Sequence, residues 1–308
     1  MNILVTGGAG FIGSHIVDKL SEKGNEVTVI DNLSTGKKGN IDSNLKFYEE
    51  DVKNCDIKTM LKKEKFDVIY HLAAQIDGRK SIKAPLYDAE NNINGSINIF
   101  ELAKKMGTQK IIYSSTAAVY GSPSPANLPL GEKSPTQPRV PYGISKLSAE
   151  NYLQFYSQQH DIDCIILRFS NVYGPRQKYS GEGSVVVAFI KRMLQGKHPI
   201  IHGDGKQTRD FIYVNDVAEA CVKALNYNRT DILNVSTGTE TSIIKLYSIL
   251  RSLAGFELEP IYKGKRSGDI SRSVLNNSKI CNKMNWQPST SLKTGLEKTI
   301  KYYQKKFN

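Results

Sequence analysis

Over roughly its first hundred positions the chain alternates short β-branched runs with longer stretches whose apolar residues recur every three or four places. The runs 2–5, 26–30, 45–48, 67–72 and 110–113 read as buried strands, and the spacing at 12–23, 57–63 and 90–106 predicts helices between them. Strand and helix alternating at this interval build βαβ units, so the predicted fold is α/β with a doubly wound parallel sheet. A helix beginning near Tyr142 and a strand at 164–169 extend the pattern. Residues 173–183 are rich in Gly, Pro and polar side chains, 184–195 has helical spacing, and 202–206 is a glycine-rich turn. A late strand at 232–235 is placed to rejoin the sheet, and helices are predicted at 243–254, 278–284 and 292–307. The organisation expected is a main domain of residues 1–168, rejoined by about 211–236, and a smaller C-terminal α/β lobe of 169–210 and 237–308.

With 308 residues, 39% of them apolar and 23% charged, the chain has material for one large core or two closely packed ones, which excludes a disordered or fibrous protein. Its longest apolar runs, such as 185–190, fall well short of the roughly 18–20 residues a membrane helix needs, so no membrane partner is expected. No basic segment, apolar run and cleavage site open the sequence, and a cytoplasmic location is expected. The four cysteines are dispersed with no CxxC pair, so neither a metal site nor a disulfide framework is expected. A net charge of +12 raises the question of nucleic acid. The lysines are spread along the chain rather than gathered among aromatics, which favours a solvated basic surface suited to a small anionic substrate.

Gly7, Gly10 and Gly13 form a G-x-x-G-x-x-G turn between the first strand and the first helix. Side chains there would keep the backbone from a pyrophosphate resting on the N–H groups of the helix N-terminus. Asp31 ends the next strand 18 residues after Gly13, where a carboxylate accepts hydrogen bonds from the adenosine ribose and repels a 2′-phosphate. These residues make a Rossmann sheet and point to NAD rather than NADP, with Lys37 and Lys38 downstream as the counter-signal.

Tyr142 and Lys146 stand four apart at the start of a helix and share a face. A tyrosine is a poor base at neutral pH, and a neighbouring positive charge from Lys146 and an oxidised nicotinamide lowers its pKa until the phenol accepts a proton. Ser114, Ser115 and Thr116 follow the strand predicted at 110–113, at the sheet edge that borders the ligand crevice, where a hydroxyl is placed to share that proton.

With these motifs in hand, the sequence resembles the extended short-chain dehydrogenase/reductase family, and within it the UDP-glucose 4-epimerase-like nucleotide-sugar enzymes. The resemblance runs through TGGAGFIG (6–13), DNLSTG (31–36), HLAAQ (71–75), NNINGS (91–96), SSTAAVYG (114–121), YGISK (142–146), LRFSNVYGPRQ (167–177), GDGKQTRDFIYV (203–214) and RSGD (266–269). It implies that Tyr142 is the catalytic base, that Lys146 binds the nicotinamide ribose and tunes Tyr142, and that Thr116 shuttles the proton. Cofactor contacts are implied from Gly7, Gly10, Phe11, Ile12 and Gly13 at the turn, and from Asp31, Asn32, Ser34, Thr35 and Gly36 after the second strand. Further ones are implied from Asp51 and Val52 at the adenine, from Leu72, Ala73, Ala74 and Gln75 along the channel, and from Asn92 and Ser114. For the substrate, Asn171, Val185, Val186, Arg209, Arg266, Asp269 and Ser273 join Thr116 and Tyr142. The resemblance also implies a homodimer pairing the helices near 90–106 and 142–158.

The activity implied is NAD-dependent 4-epimerisation of a UDP-sugar through a 4-keto intermediate. Related 4,6-dehydratases carry an Asp-Glu pair after the catalytic Thr and decarboxylases a Glu, and Ala117 and Ala118 stand there instead, so epimerisation ranks above both. A 4-keto reductase ranks lower still, and so does a non-catalytic dinucleotide sensor, which would not be expected to keep Thr116, Tyr142 and Lys146 together. Ser273 falls at the residue that gates the sugar end in these epimerases; a small residue there admits 2-acetamido sugars, so UDP-GlcNAc/GalNAc are expected beside UDP-Glc/Gal. Arg79, Lys80, Lys178 and Arg272 keep a uronic acid open as substrate.

Overall fold

The computed structural model describes residues 1–54, 57–62, 64–178, 185–265 and 270–307. The first six strands are β1 (Asn2–Thr6), β2 (Glu26–Ile30), β3 (Lys46–Tyr48), β4 (Val68–His71), β5 (Lys110–Thr116) and β6 (Asp163–Phe169). They are followed by β7 (Asn171–Tyr173), β8 (Ile200–His202), β9 (Thr208–Tyr213), β10 (Asp231–Val235), β11 (Glu240–Ser242) and β12 (Ile261–Lys263). The helices are α1 (Phe11–Glu22), α2 (Ile57–Met60), α3 (Gly78–Lys83), α4 (Pro85–Ala89), α5 (Gly95–Met106), α6 (Pro141–His160), α7 (Val185–Leu194), α8 (Val214–Leu225), α9 (Ile243–Ala254), α10 (Ser278–Met284) and α11 (Leu292–Phe307). One π turn, Glu90–Asn94, joins α4 to α5.

The sheet predicted from the alternating runs is present, with seven parallel strands in the order β10-β6-β5-β4-β1-β2-β3. Each central strand is buried on both faces and divides its apolar residues between two layers. Ile3 and Val5 of β1, with Val68 and Tyr70 of β4, pack towards α1 and α8, while Leu4 and Ile69 pack towards α5 and α6. The strands are parallel, so the carboxyl ends Thr6, His71, Thr116 and Phe169 line one edge, and the order of strand addition reverses between β1 and β4, the switch point where open α/β sheets bind ligands. Three-stranded (β11-β9-β7) and two-stranded (β12-β8) sheets lie beyond that edge. A separate core there gathers Val187, Phe189, Ile201, Phe211, Leu246, Leu250 and Leu296.

Several elements differ from their predicted bounds. β5 runs on through Thr116 rather than ending at Tyr113, so the Ser114-Ser115-Thr116 hydroxyls alternate within a strand. The helix expected at 90–106 begins at Pro85 and passes through the π turn. Residues 214–225, unassigned in the sequence, form α8, whose Val217, Ala218, Cys221, Val222 and Leu225 pack at helical spacing against the core. Lys63 and Ser184, the predicted ends of two helices, lie outside the described residues. Among the described residues no helix is long and apolar enough to cross a membrane, and no cluster of His, Cys, Asp or Glu has metal-site geometry.

Candidate active site

The β1–α1 turn is tight enough to demand its glycines. Gly7 adopts φ +70°, and a Cβ there would stand 2.7 Å from the backbone nitrogen of Ala73; a Cβ on Gly13 would meet the Gly7 carbonyl oxygen at 2.2 Å. Gly10 caps α1 with no side-chain partner, and the first turn carries no acidic residue, so the positive helix end is left open to an anion. Asp31 closes the loop from behind: one carboxylate oxygen accepts from the Ala9 amide (3.0 Å), the other from Leu33 (2.8 Å). Burial raises its pKa, and those amides oppose the rise. A bare glycine cradle, an unpartnered helix end and a carboxylate at the end of β2 fit a dinucleotide. Asn32, Ser34 and Thr35 lie exposed on the rim, and Gly36 packs beside Asp31. Lys38 lies over the Phe47 ring at 5.3 Å. Asp51 accepts from Asn32 (3.0 Å), and Val52 is part of the core.

Behind the 71–75 segment lies a polar network that the sequence did not announce. His71, fully buried, joins Thr6 (2.7 Å) to Ser96 (3.0 Å), and burial, then the nearby Lys146 charge, pushes its pKa down to about 3, so it stays neutral. Asn92, carried by the π turn, accepts from the Gln75 amide (2.8 Å) and donates to the Gln75 carbonyl (2.9 Å), Asp88 (3.2 Å) and Ser145 (3.0 Å). Its amide therefore braces the backbone at Gln75 through protein partners. Asp88 also accepts from Ser145 (2.6 Å) and Gln75 (2.7 Å). Leu72, Ala73 and Ala74 are partly buried in the same segment, and Ser114 donates to the His71 carbonyl (3.2 Å).

Tyr142 and Lys146 occupy the first turns of α6, whose start is tied to α3 by the Tyr142 amide donating to Ser81 (3.1 Å). The sequence expectation joins Lys146 with an oxidised nicotinamide to lower the phenol's pKa; the chain by itself carries only the first of these charges. Burial pushes Tyr142 up to about 12, and the Thr116 hydroxyl acts in the opposite direction. Burial also pushes Lys146 down to about 7, against the pull of Glu150 and Asp88. The ammonium sits 4.1 Å from the centre of the Tyr113 ring. One turn beyond Lys146, Glu150 is fully buried and forms a two-point ion pair with Arg168 of β6, at 2.6 and 3.0 Å. Glu150 also accepts from Ser115, so one carboxylate joins α6, β5 and β6.

Tyr142 and Thr116 face a cavity of about 500 Å³ that opens between the main sheet edge and the outer lobe. Phe11 and Ile12, expected at the cofactor, and Asn171, Val185, Arg209 and Ser273, expected at the substrate, line it. Val186 does not, because it is 1% exposed and packs in the outer core one helical step away from Val185. Arg266 and Asp269 lie outside the described residues. Ala117 and Ala118 border the cavity after Thr116. The lining also includes Arg79 and Arg139, the second of which the sequence reading passed over because nothing in its spacing marks it.

The sequence matches the NAD dependent epimerase/dehydratase family over residues 3–236. The UDP-glucose 4-epimerase of Thermotoga maritima, solved with UDP-glucose, is 41% identical with a TM-score of 0.97, over 100% of each chain. That of Thermus thermophilus, solved with NAD, is 35% identical with a TM-score of 0.94, over 99% of each. The UDP-N-acetylglucosamine 4-epimerase of Methanobrevibacter ruminantium, solved with UDP-N-acetylmuramic acid, is 37% identical with a TM-score of 0.93, over 99% of this chain and 98% of that one.

Removing Glu150 leaves the Arg168 charge buried without a counterion. Glu150→Ala is expected to lower unfolding stability by about 3–5 kcal/mol in denaturant titration. A midpoint equal to that of the unmodified protein would contradict this placement of the pair.

Proposed function

The chain belongs to the NAD-dependent epimerase/dehydratase family, and we propose that it is an NAD-dependent UDP-sugar 4-epimerase working through a transient 4-keto sugar. The observation that carries this reading is a phenol and a hydroxyl, Tyr142 and Thr116, facing a cavity whose next two residues are Ala117 and Ala118. With no carboxylate at those two positions, proton removal at C5 and loss of water from C6 have no acid or base there, and chemistry stays at C4. NAD, held by the glycine turn and Asp31, would supply a reversible hydride acceptor for C4 and a positive charge near the phenol.

The chain's own residues do the rest. Thr116 relays the proton between the sugar 4-hydroxyl and the Tyr142 oxygen. Lys146 favours the ionised phenol whenever it is charged, and Glu150 supports that charge. The Asp88–Asn92–Ser145 network holds the 71–75 segment against the start of α6. Gly7, Gly10 and Gly13 give the pyrophosphate its approach, and Asp31 receives the adenosine ribose. Asn171 and Arg209, with Arg266 and Asp269, take the nucleotide diphosphate and nucleoside, for which a guanidinium fork is suited. In this reading residues 1–168 with about 211–236 hold NAD, residues 169–210 and 237–308 hold the nucleotide sugar, and the protein works in the cytoplasm. Because both electrons return in each cycle, turnover needs no added cofactor.

Ser273, small and at the cavity wall, supports acceptance of 2-acetamido sugars. A homodimer is supported by α6, which exposes Ile144 (50%), Tyr152 (44%) and Phe155 (53%) along one side. The part of the proposed interface on α5 presents Lys104 and Lys105 instead.

Incubated with UDP-glucose and no added NAD, the purified protein should yield the 4-epimer on chromatography, and Tyr142→Phe should cut kcat by about 10²- to 10⁴-fold. Full turnover by that variant would remove Tyr142 from its role. Ser273→Tyr should abolish turnover of UDP-GlcNAc while sparing UDP-glucose; equal loss of both would sink the gate. Light scattering should report a dimer that Phe155→Glu converts to monomer, and an unmodified monomer would end the dimer reading.

A further inference from the structure

One side of α1 faces the outer lobe from its first residue onward. Phe11, His15 and Asp18 stand at i, i+4 and i+7, so they share a face, and the Phe11 and His15 rings meet edge-on with centroids 6.3 Å apart. Phe11 and its neighbour Ile12 pack against the outer core, whereas Ile16, Val17 and Leu20 belong to the core of the main sheet. Just after β7 the chain crosses the outward side of the helix. There the Pro175 carbonyl accepts from His15 Nε2 (3.1 Å), and the Arg176 guanidinium pairs with Asp18 (2.7 Å), with the two side chains 25% and 33% exposed. Arg176 holds φ +67°, a left-handed conformation that is costly for an L side chain and persists only where its contacts outweigh the cost.

The same short strap, residues 174–177, is tied to the outer lobe at its other end. Tyr303 of α11 donates to the Gln177 carbonyl, and Tyr173 at the end of β7 donates to the carbonyl of Leu292, the first residue of α11 (3.2 Å). Gln177 also donates to the Val172 carbonyl (3.2 Å), closing the turn on itself. The strap therefore cross-links α1, whose N-terminus is open to an anion, to a helix of the outer core. Asn171, Val172 and Gln177 form cavity wall beside Phe11 and Ile12, but His15, Asp18 and Arg176 do not line the cavity. Those three residues have no reach to the sugar or to the Tyr142 oxygen, so whatever they contribute is made through the placement of α1 against the lobe.

Resting on the epimerase reading, we propose that residues 174–177 are a latch for the cofactor: Arg176 and Asp18, with His15 beside them, are positioning residues that hold the outer lobe against α1 and slow the release of NAD. A reaction that returns its hydride from the same dinucleotide in every cycle gains nothing from cofactor exchange, and a dinucleotide seated on the α1 N-terminus leaves more readily when the lobe lifts from that helix. An ion pair this exposed adds little to the stability of the whole fold. It lies across the line along which the lobe parts from α1, so its weight falls on that local opening step.

The test follows the loss of NAD from purified holoenzyme, desalted at intervals, with the cofactor still on the protein measured by chromatography after acid denaturation. Asp18→Asn and Arg176→Gln should each speed that loss by about 2- to 5-fold, the weight of a partly exposed ion pair. Asp18→Arg should speed it further by facing Arg176 with a like charge. Adding Arg176→Asp to that variant should bring the rate back to within about twofold of the unmodified protein, a recovery that purely structural damage at either site would not give. Rates that the single substitutions leave unmoved, or a charge-reversed pair that stays as fast as Asp18→Arg alone, overturn the latch and leave the epimerase reading intact. Unmodified protein that holds no NAD after incubation with it overturns the epimerase reading itself and this one with it.

Discussion

The catalytic end of the molecule is organised around the carboxylate of Glu150. It lies at the junction of three segments that the chain reaches far apart in sequence: Ser115 on β5, Arg168 on β6, and α6 itself, one turn beyond Lys146. In a low-dielectric interior such a charge is tolerated only when paired and fully hydrogen-bonded, so each partner is constrained by the others. The chain of contacts continues from Arg168 to Tyr120 (3.0 Å) and from Tyr120 to Asn234 of β10 (2.8 Å), reaching the edge strand that completes the sheet. Thr116 follows Ser115 in β5, and Lys146 and Tyr142 lie about one and two turns before Glu150 in α6. Their relative placement is set by buried electrostatics below the cavity rather than by the residues that line it.

The same burial gives the site its chemical tension. The sequence suggests a lysine and an oxidised nicotinamide that together make a tyrosine acidic; the folded chain alone pushes both side chains towards neutrality, with the phenol up at about 12 and the ammonium down at about 7. Desolvation outweighs the Thr116 hydroxyl at the phenol, and Glu150 and Asp88 at the ammonium. The neutral His71 behind them shows the same preference. The cavity itself has the opposite character, with four guanidinia and no carboxylate among its described lining.

How much of this was readable beforehand follows from which forces are local. The central strands were legible because a parallel sheet buried on both faces writes itself as continuous β-branched runs, as at Ile3 to Val5 and Cys164 to Leu167. β7, β8, β11 and β12 were not, since each has three residues and its pairing is decided by partners distant in the chain. The glycine turn and the Tyr142–Lys146 spacing were legible because their chemistry fixes residue type and interval together. Glu150, Asp88 and Arg168 carried only a weak signal, charged residues at positions whose helix or strand neighbours are apolar. The cavity membership of Arg139 and the inward turn of Val186 towards the core depend on side-chain direction, which a one-dimensional pattern does not carry.

The π turn at Glu90–Asn94 ties Asn92 to the Gln75 backbone and leads without a break into α5. A helix containing one wide turn is a rotary joint locked at a fixed phase. The residues before it, with Asp88, and those after it, with Ser96, Ile99 and Phe100, are oriented against one another by the extra residue. Surface loops of this fold are free to lengthen or shorten, but this helix is not. A single-residue insertion or deletion within it would turn every downstream side chain by about 100°, one position at 3.6 residues per turn, and carry Ser96 away from His71. Length variation among proteins built on this plan should therefore collect in the loops around the cavity and avoid this buried segment.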